Sequence, residues 1–228
     1  MTNGTATLEP NAKRASGLRP GIPVQYGTDW YGYLSISELI GDRRLRTFYG
    51  EGQMEILMPS VRHELWIALL GQLIEMLTLE LAIPKRCAGM TTFRRQDLEK
   101  GLEPDRCYYL TNEARIRGKL ELDLSIDPPP DLALEVEITS SVEKRMRIYA
   151  GLGVPEVWRF DGEKLSVNQV VANGEYVVVE RSRYFPMMPM SEFVRFMRMH
   201  DKMDDTSLMI SFHDWVRQQI AAGWSANT

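Results

Sequence analysis

Along residues 131–138 apolar and acidic side chains alternate. Leu132, Leu134, Val136 and Ile138 take one face of an extended chain, and Asp131, Ala133, Glu135 and Glu137 take the other. Prolines at 128, 129 and 130 forbid helix and lead into this strand in extended backbone. A row of carboxylates on a strand of core-like composition must meet water, cations or a metal ion, because burial penalises the ionised form. Periodicity alone leaves two readings open: an antiparallel strand with one solvated face, or a strand that delivers acids to a metal site.

The rest of the chain is patterned around that strand. A short helix capped by Ser35 or Ser37 runs through Ile40 and stops at Gly41. A hairpin follows, with strands 45–49 and 54–57 joined by Gly50, Glu51 and Gly52. Ser60 caps the longest helical pattern, in which Leu65, Leu69, Leu73, Met76, Leu77 and Leu81 recur at helical spacing before Pro84. Residues 86–94 and 106–110 read as strands, with Glu99, Lys100 and Gly101 as a turn. A short basic helix is expected within 112–119. Ser140 or Ser141 caps a helix through Tyr149, closed by Gly151 and Gly153. Strands 154–160, 165–171 and 176–180 come next, the last two joined by Asn173 and Gly174, the strongest hairpin signal in the chain. Helices near 191–199 and 206–222 finish it, their methionines read as packing residues. This order predicts one α/β domain with a mixed sheet. The helix between strands 131–138 and 154–160 predicts a right-handed parallel crossover.

The 228 residues allow one domain with tails. Residues 1–28 read as a mobile N-terminal tail, 29–186 as the α/β domain and 187–228 as a helical extension packed on it. A net charge of -4 gives no global basic field, so any attraction to nucleic acid needs a local basic groove. Arg94, Arg95, Arg115, Arg117 and Lys119 could line such a path or simply be solvated. Cys87 and Cys107 form no CxxC pair, which argues against a zinc knuckle or disulfide scaffold and for free thiols in a reducing compartment. No run approaches the roughly 20 apolar residues of a membrane span, and the N-terminus lacks the apolar core of a signal peptide. A cytoplasmic protein without membrane contact is expected.

The candidate chemistry lies in the acids. Divalent-metal nucleases bring carboxylates from several elements to one point, where the metal activates water and stabilises charge on the scissile phosphate. The candidates here are Glu55 on the returning hairpin strand, Asp105, Glu135 and Glu137, with Lys144 or Arg145 on the following helix to balance developing charge. His63, one turn into the long helix, reads as a polar helix position. His200 and His213 carry no ligand spacing.

Three runs point further. They are Glu103-Pro104-Asp105; Pro130-Asp131-Leu132-Ala133-Leu134-Glu135-Val136-Glu137-Ile138-Thr139-Ser140-Ser141; and Tyr149-Ala150-Gly151-Leu152-Gly153-Val154-Pro155-Glu156-Val157-Trp158. In this order they resemble the Uma-two family of restriction-endonuclease-like proteins, within the PD-(D/E)XK nuclease superfamily. The hairpin Gly52-Gln53-Met54-Glu55-Ile56-Leu57-Met58-Pro59-Ser60 and His63 also match that family, and the resemblance covers about residues 30–215. It implies a restriction endonuclease-like mixed β-sheet flanked by helices, with a carboxylate cluster at its centre. Asp105 would stand at the first acidic position, Glu135 would open the Glu-x-Lys element, and Glu55 would be the additional upstream acid.

One departure bears on activity. The residue two after Glu135 is Glu137, not lysine, and the cation on the following helix is Arg145, with Lys144 beside it. Arginine can stabilise an anion but cannot act as a general base. The expectation is a Mg²⁺- or Mn²⁺-dependent endonuclease acting on DNA, or on RNA. Glu55, Asp105 and Glu135 would be ligands, Glu137 a second ligand, and Arg145 or Lys144 the charge stabiliser. A homodimer is expected, because two-fold DNA suits a two-fold protein. The rivals are a module that kept the fold for binding without catalysis, and a phosphodiesterase acting on RNA or a small phosphorylated ligand.

Overall fold

The computed structural model describes residues 18–41, 43–137 and 142–225. In chain order the first half gives β1 (Val24–Gly27), α1 (Trp30–Ile40), β2 (Arg46–Gly50), β3 (Gln53–Leu57), α2 (Val61–Glu80), β4 (Arg86–Gly89), β5 (Phe93–Arg95), β6 (Lys100–Leu102), β7 (Arg106–Tyr109) and α3 (Glu113–Ile116). The second half gives β8 (Leu132–Val136), α4 (Val142–Leu152), β9 (Glu156–Phe160), β10 (Leu165–Val170), β11 (Tyr176–Val179), α5 (Met190–Met197) and α6 (Asp205–Ala221).

The strands form two sheets flanked by helices, where a single sheet was expected. An antiparallel sheet runs β1-β3-β2-β6-β5, and a mixed one runs β11-β10-β9-β8-β7-β4. The expected crossover is present: β8 and β9 are parallel, with Leu132 opposite Glu156 and Val136 opposite Phe160, and α4 connects them. Residues 86–94 split between the sheets. Gly89, at φ 60°, ends β4, and Phe93 resumes as β5 in the other sheet. Lys100 and Gly101, expected with Glu99 as a turn, belong to the strand Lys100–Leu102 between β2 and β5. At three residues it is too short to show a period.

The N-terminal boundary also differs. Val24–Gly27, assigned to a tail, pairs with β3, Val24 opposite Ile56 and Gly27 opposite Gln53. This edge strand is largely exposed and carries no alternation to announce it; residues 1–17 lie outside the described residues. Helix α1 starts earlier than expected. Asp29 caps it, accepting from Gly32 N at 2.7 Å, and Trp30, Tyr33, Ser37 and Ile40 form its buried stripe. Ser60 caps α2 as expected, its hydroxyl accepting from His63 N at 3.2 Å. Ser140 and Ser141, the expected caps of α4, lie outside the described residues.

Strand β8 decides where the core lies. Leu132, Leu134 and Val136 pack with Trp158 and Phe160 against Leu70, Leu73 and Leu77 of α2 and Phe193 and Phe212 of the last helices. The opposite face is also covered: Ala133, Cys107 and Val157 meet Ile148, Tyr149 and Leu152 of α4, with Phe48 and Leu102 of the antiparallel sheet beyond. The solvated-face reading therefore fails, and every residue from Leu132 to Val136 is buried. A parallel crossover puts α4 on this face, and a covered face leaves Glu135 without bulk water.

The β2–β3 turn holds Glu51 and Gly52 at φ 56° and 70°, the left-handed pair that matches hairpin twist. Arg147 of α4 grips Glu51 at 3.0 Å, tying the turn to the crossover helix. Because Leu134 is wholly buried between β8 and α2, Leu134→Ala should cost about 2–5 kcal/mol. In urea unfolding this appears as a lowered midpoint with unchanged slope; an unchanged midpoint would mean that the α2 face of β8 is not the core.

Candidate active site

Three strands and one helix supply the site. Glu55 is central in β3, Asp105 immediately precedes β7, Glu135 is near the end of β8, and Arg145 is in α4. Arg106 lies opposite Leu134, so the β7–β8 register carries Asp105 alongside Glu135. Arg145 and Tyr149 are four residues apart and share the helix face turned toward Glu135.

Arg145 joins two of the acids. Its Nε donates to Glu55 Oε1 at 2.9 Å, Nη2 donates to the same oxygen, and Nη1 donates to Glu135 Oε2 at 3.2 Å. The guanidinium also lies 4.1 Å from the Phe48 ring centroid, a cation–π contact within the bridge. Tyr149 Oη donates to Glu135 Oε1. Glu55, Glu135 and Arg145 are 6%, 2% and 5% exposed, so solvent contributes little to their balance.

Asp105 has its own partners. Its Oδ2 is 2.8 Å from His63 Nε2 and accepts from Val136 N at 2.8 Å. Arg46 Nε approaches Oδ1 at 3.3 Å without hydrogen-bond geometry, and Oδ1 accepts no hydrogen bond. Burial works to raise this carboxyl, but the His63 hydrogen bond and charge, with Arg46 and the Val136 amide, hold it below its ordinary 3.8. Burial works to lower His63, and Asp105 outweighs it, lifting the imidazole above 6.5. Glu135 goes the other way. Burial first, and then the Asp105 charge, push it up to about 8 against the pull of Arg145 and Tyr149.

Two residues expected at the site lie elsewhere. Glu137 accepts from Arg159 Nε at 2.6 Å and Nη2 at 2.8 Å, an ion pair across to β9, and not from Arg145. Lys144, next to Arg145 on the helix, turns outward, and its Nζ donates to Gln25 Oε1 at 3.3 Å. The rotation of about 100° per helical residue separates these neighbours. Of the basic residues of 94–119, Arg95 pairs with Asp97, Arg117 with Glu113 and Lys119 with Asp127. Asp131 is structural, its Oδ2 accepting from Leu110 N at 2.7 Å and Asn112 N at 2.9 Å. Reading the residues missed Arg46, His63 and Tyr149 as site groups. His63 was visible only through the family resemblance; Arg46 and Tyr149 gave no signal in their local pattern.

The donors suit a hard divalent cation in kind. All three acids offer oxygen, and Asp105 Oδ1 is buried without a hydrogen bond. They are not gathered around one point: among the described residues no three His, Cys, Asp or Glu side chains form a metal-holding group. Arg145 fills the position between Glu55 and Glu135 with a charge of the protein's own. Glu55, Asp105 and Glu135 would hold such an ion only with that guanidinium displaced.

Buried acids delivered from separate strands, with a parallel crossover helix packed over them, define an α/β protein with a buried carboxylate site. The model of the Uma2 family, described as "Putative restriction endonuclease", matches residues 33–195, and the chain belongs to that family. Among solved structures it is similar to "a putative nuclease belonging to DUF820" from Anabaena variabilis ATCC 29413. Identity is 14% and the TM-score 0.46, over 66% of this chain and 90% of that one. No curated protein matched the chain. Among the described residues no helix is long and apolar enough to cross a membrane.

Glu135 should leave a pH signature on stability. Between its ordinary 4.5 and about 8 the folded chain keeps a proton that the unfolded chain has released. This contribution is complete below 4.5 and is lost as pH rises through about 8. The groups acting on it are Asp105, Arg145, Tyr149 and Glu137. Glu135→Gln fixes the neutral form, so its melting temperature should fall less than wild type's from about pH 5 to about pH 9. His63, also raised, keeps part of the slope in the variant. Identical slopes in the two proteins would mean that Glu135 is ionised throughout.

Proposed function

We propose that the chain is a divalent-cation-dependent endonuclease that hydrolyses phosphodiester bonds in DNA at the cluster of Glu55, Asp105 and Glu135. The observation that carries this reading is that buried Glu55 and Glu135, from different sheets, share Arg145, with buried Asp105 beside Glu135 in the β7–β8 register. Membership of the family described as "Putative restriction endonuclease" supports it. A bound Mg²⁺ or Mn²⁺ supplies an activated water and charge for the phosphate.

The protein's own groups have separate tasks in this reading. Val136 N–H and His63 orient Asp105, and His63 and Arg46 keep it ionised, so it is ready to hold a cation. Glu135 must give up the proton that burial favours, and a nearby divalent charge makes that loss easier. Arg145 must leave its bridge, which frees oxygens of both glutamates. Lys100 and Lys144 line a narrow recess beside Arg145 and can receive phosphate oxygens of the substrate backbone. Two copies of the chain would cut the two strands of a duplex.

The Arg145 bridge itself favours a second reading. A guanidinium seated between the two glutamates stands where a cation would, and the fold would then serve binding alone. Calorimetric titration of Mn²⁺ into wild type, Glu135→Gln and Arg145→Ala, followed by incubation with supercoiled plasmid, separates the two. The nuclease reading expects uptake and nicking by wild type, with nicking down about 100-fold or more in Glu135→Gln. Uptake by Arg145→Ala alone, with no nicking by wild type, would establish the bridge as a permanent plug and the protein as a binding module.

A further inference from the structure

On the far side of the mixed sheet from β4, a groove of about 960 Å³ opens between the β10–β11 hairpin and α5. Its floor is apolar, built from Leu165, Val179, Met190 and Val194. Its rim is cationic: Lys164, Arg181, Arg198 and Lys202 stand there with Arg195, against only Glu163 and Glu180. Arg195 is committed to Glu192. Arg181 and Arg198 donate to backbone carbonyls of Pro186, Met187 and Glu163; Arg181 also makes a long, exposed ion pair with Glu180 at 3.9 Å, and the Arg198 guanidinium meets no carboxylate among the described residues. The Lys164 and Lys202 ammonium groups make no ion pair among the described residues; only the backbones of these two residues are hydrogen-bonded. This is a positive surface on a chain of net charge -4.

The groove is bounded by an open strand edge. β11 is the last strand of the sheet and pairs only with β10, Val178 opposite Asn168. Val171 N donates to Glu175 O, and Val170 N donates to Pro155 O on the β9 side. This phase makes the Val170–Tyr176 and Asn168–Val178 pairs the non-hydrogen-bonded ones. The backbone N–H and C=O of Val178 therefore point away from β10, to the open edge. Val177 and Val178 are 42% and 63% exposed, and no charge, proline or bulge blunts the strand.

We propose that this edge and groove form a docking site for an extended acidic peptide segment of a partner protein, added as a further strand alongside β11. Main-chain hydrogen bonds would come from the Val178 edge, apolar side chains of the peptide would enter the floor, and its carboxylates would meet the lysines and arginines of the rim. A second copy of this chain would set the same cations against one another, so charge complementarity selects an acidic partner. No aromatic side chain lines the groove to stack bases, so single-stranded nucleic acid is the poorer match. The site is independent of the carboxylate cluster.

The test is fluorescence anisotropy with a labelled peptide of about eight alternating Glu and Val residues, at low salt. Its probes for comparison are the Lys–Val counterpart, an N-methylated Glu–Val peptide and a labelled oligothymidylate. Saturable binding of the Glu–Val peptide alone is expected. It should weaken about tenfold or more in Lys164→Glu/Lys202→Glu, whose exposed side chains hold nothing in the fold. Val178→Pro, which removes the outward donor while sparing the β10 ladder, should weaken it similarly. The N-methylated probe gives the same readout without altering the protein. Equal binding of the Lys–Val peptide, unchanged affinity in the charge-reversal variant, or binding of the oligothymidylate instead of the peptide would each overturn the proposal.

Discussion

Arg145, reaching from the crossover helix to Glu55 and Glu135, joins the two sheets of this protein at their acids. Glu55 belongs to the antiparallel sheet and Glu135 to the mixed one, and one guanidinium donates to both. Its planar fork allows two bonds to one carboxylate and a third to the other while its face rests on Phe48. Removing one partner of a buried pair typically costs about 3–5 kcal/mol, because the remaining charge is stranded. The bridge is therefore at once a structural joint and the feature that governs access to the acids.

Around that joint the acids are held in unlike states. Asp105 has a histidine, an arginine and an amide to favour its charge, whereas Glu135, on the neighbouring strand, bears the cost of burial and of the Asp105 charge beside it. Two carboxylates of opposite tendency at one point are the arrangement in which one remains an anion while the other exchanges a proton. His63 of α2 and Arg46 of β2 account for the low state of Asp105, whereas burial and the Asp105 charge raise Glu135 against Arg145 and Tyr149 of α4.

Much of the site was legible residue by residue. Glu55 and Glu135 stand out because an acid interrupts an otherwise apolar strand, Asp105 and Arg145 were picked out with the family resemblance, and the structure places Arg145 on both glutamates with Asp105 beside Glu135. What could not be read was pairing. Glu137 has the same parity as Glu135, yet it lies beyond the end of β8, where Arg159 of the adjacent parallel strand claims it. Lys144 and Arg145 differ by one residue, and only the packing of α4 decides that the arginine enters and the lysine stays out. His63 looked like a polar helix position because the partner that makes its burial favourable is 42 residues away.

By itself the sequence determined the local elements that have a strong period or a strong cap. These include the α2 helix behind Ser60, the alternation of β8, the parallel crossover and the β10–β11 hairpin at Asn173 and Gly174. Such features depend on residues within one or two turns of each other, where steric preference and side-chain spacing act directly. The tertiary structure alone decided that the strands divide into two sheets, that both faces of β8 are covered, and that three-residue β6 and edge strand β1 exist. It also decided that the acids meet an arginine. Each of these is a long-range choice: a carboxylate pattern on a strand is equally compatible with water, a metal ion or a buried cation, and only the chain packed against that face determines which is there.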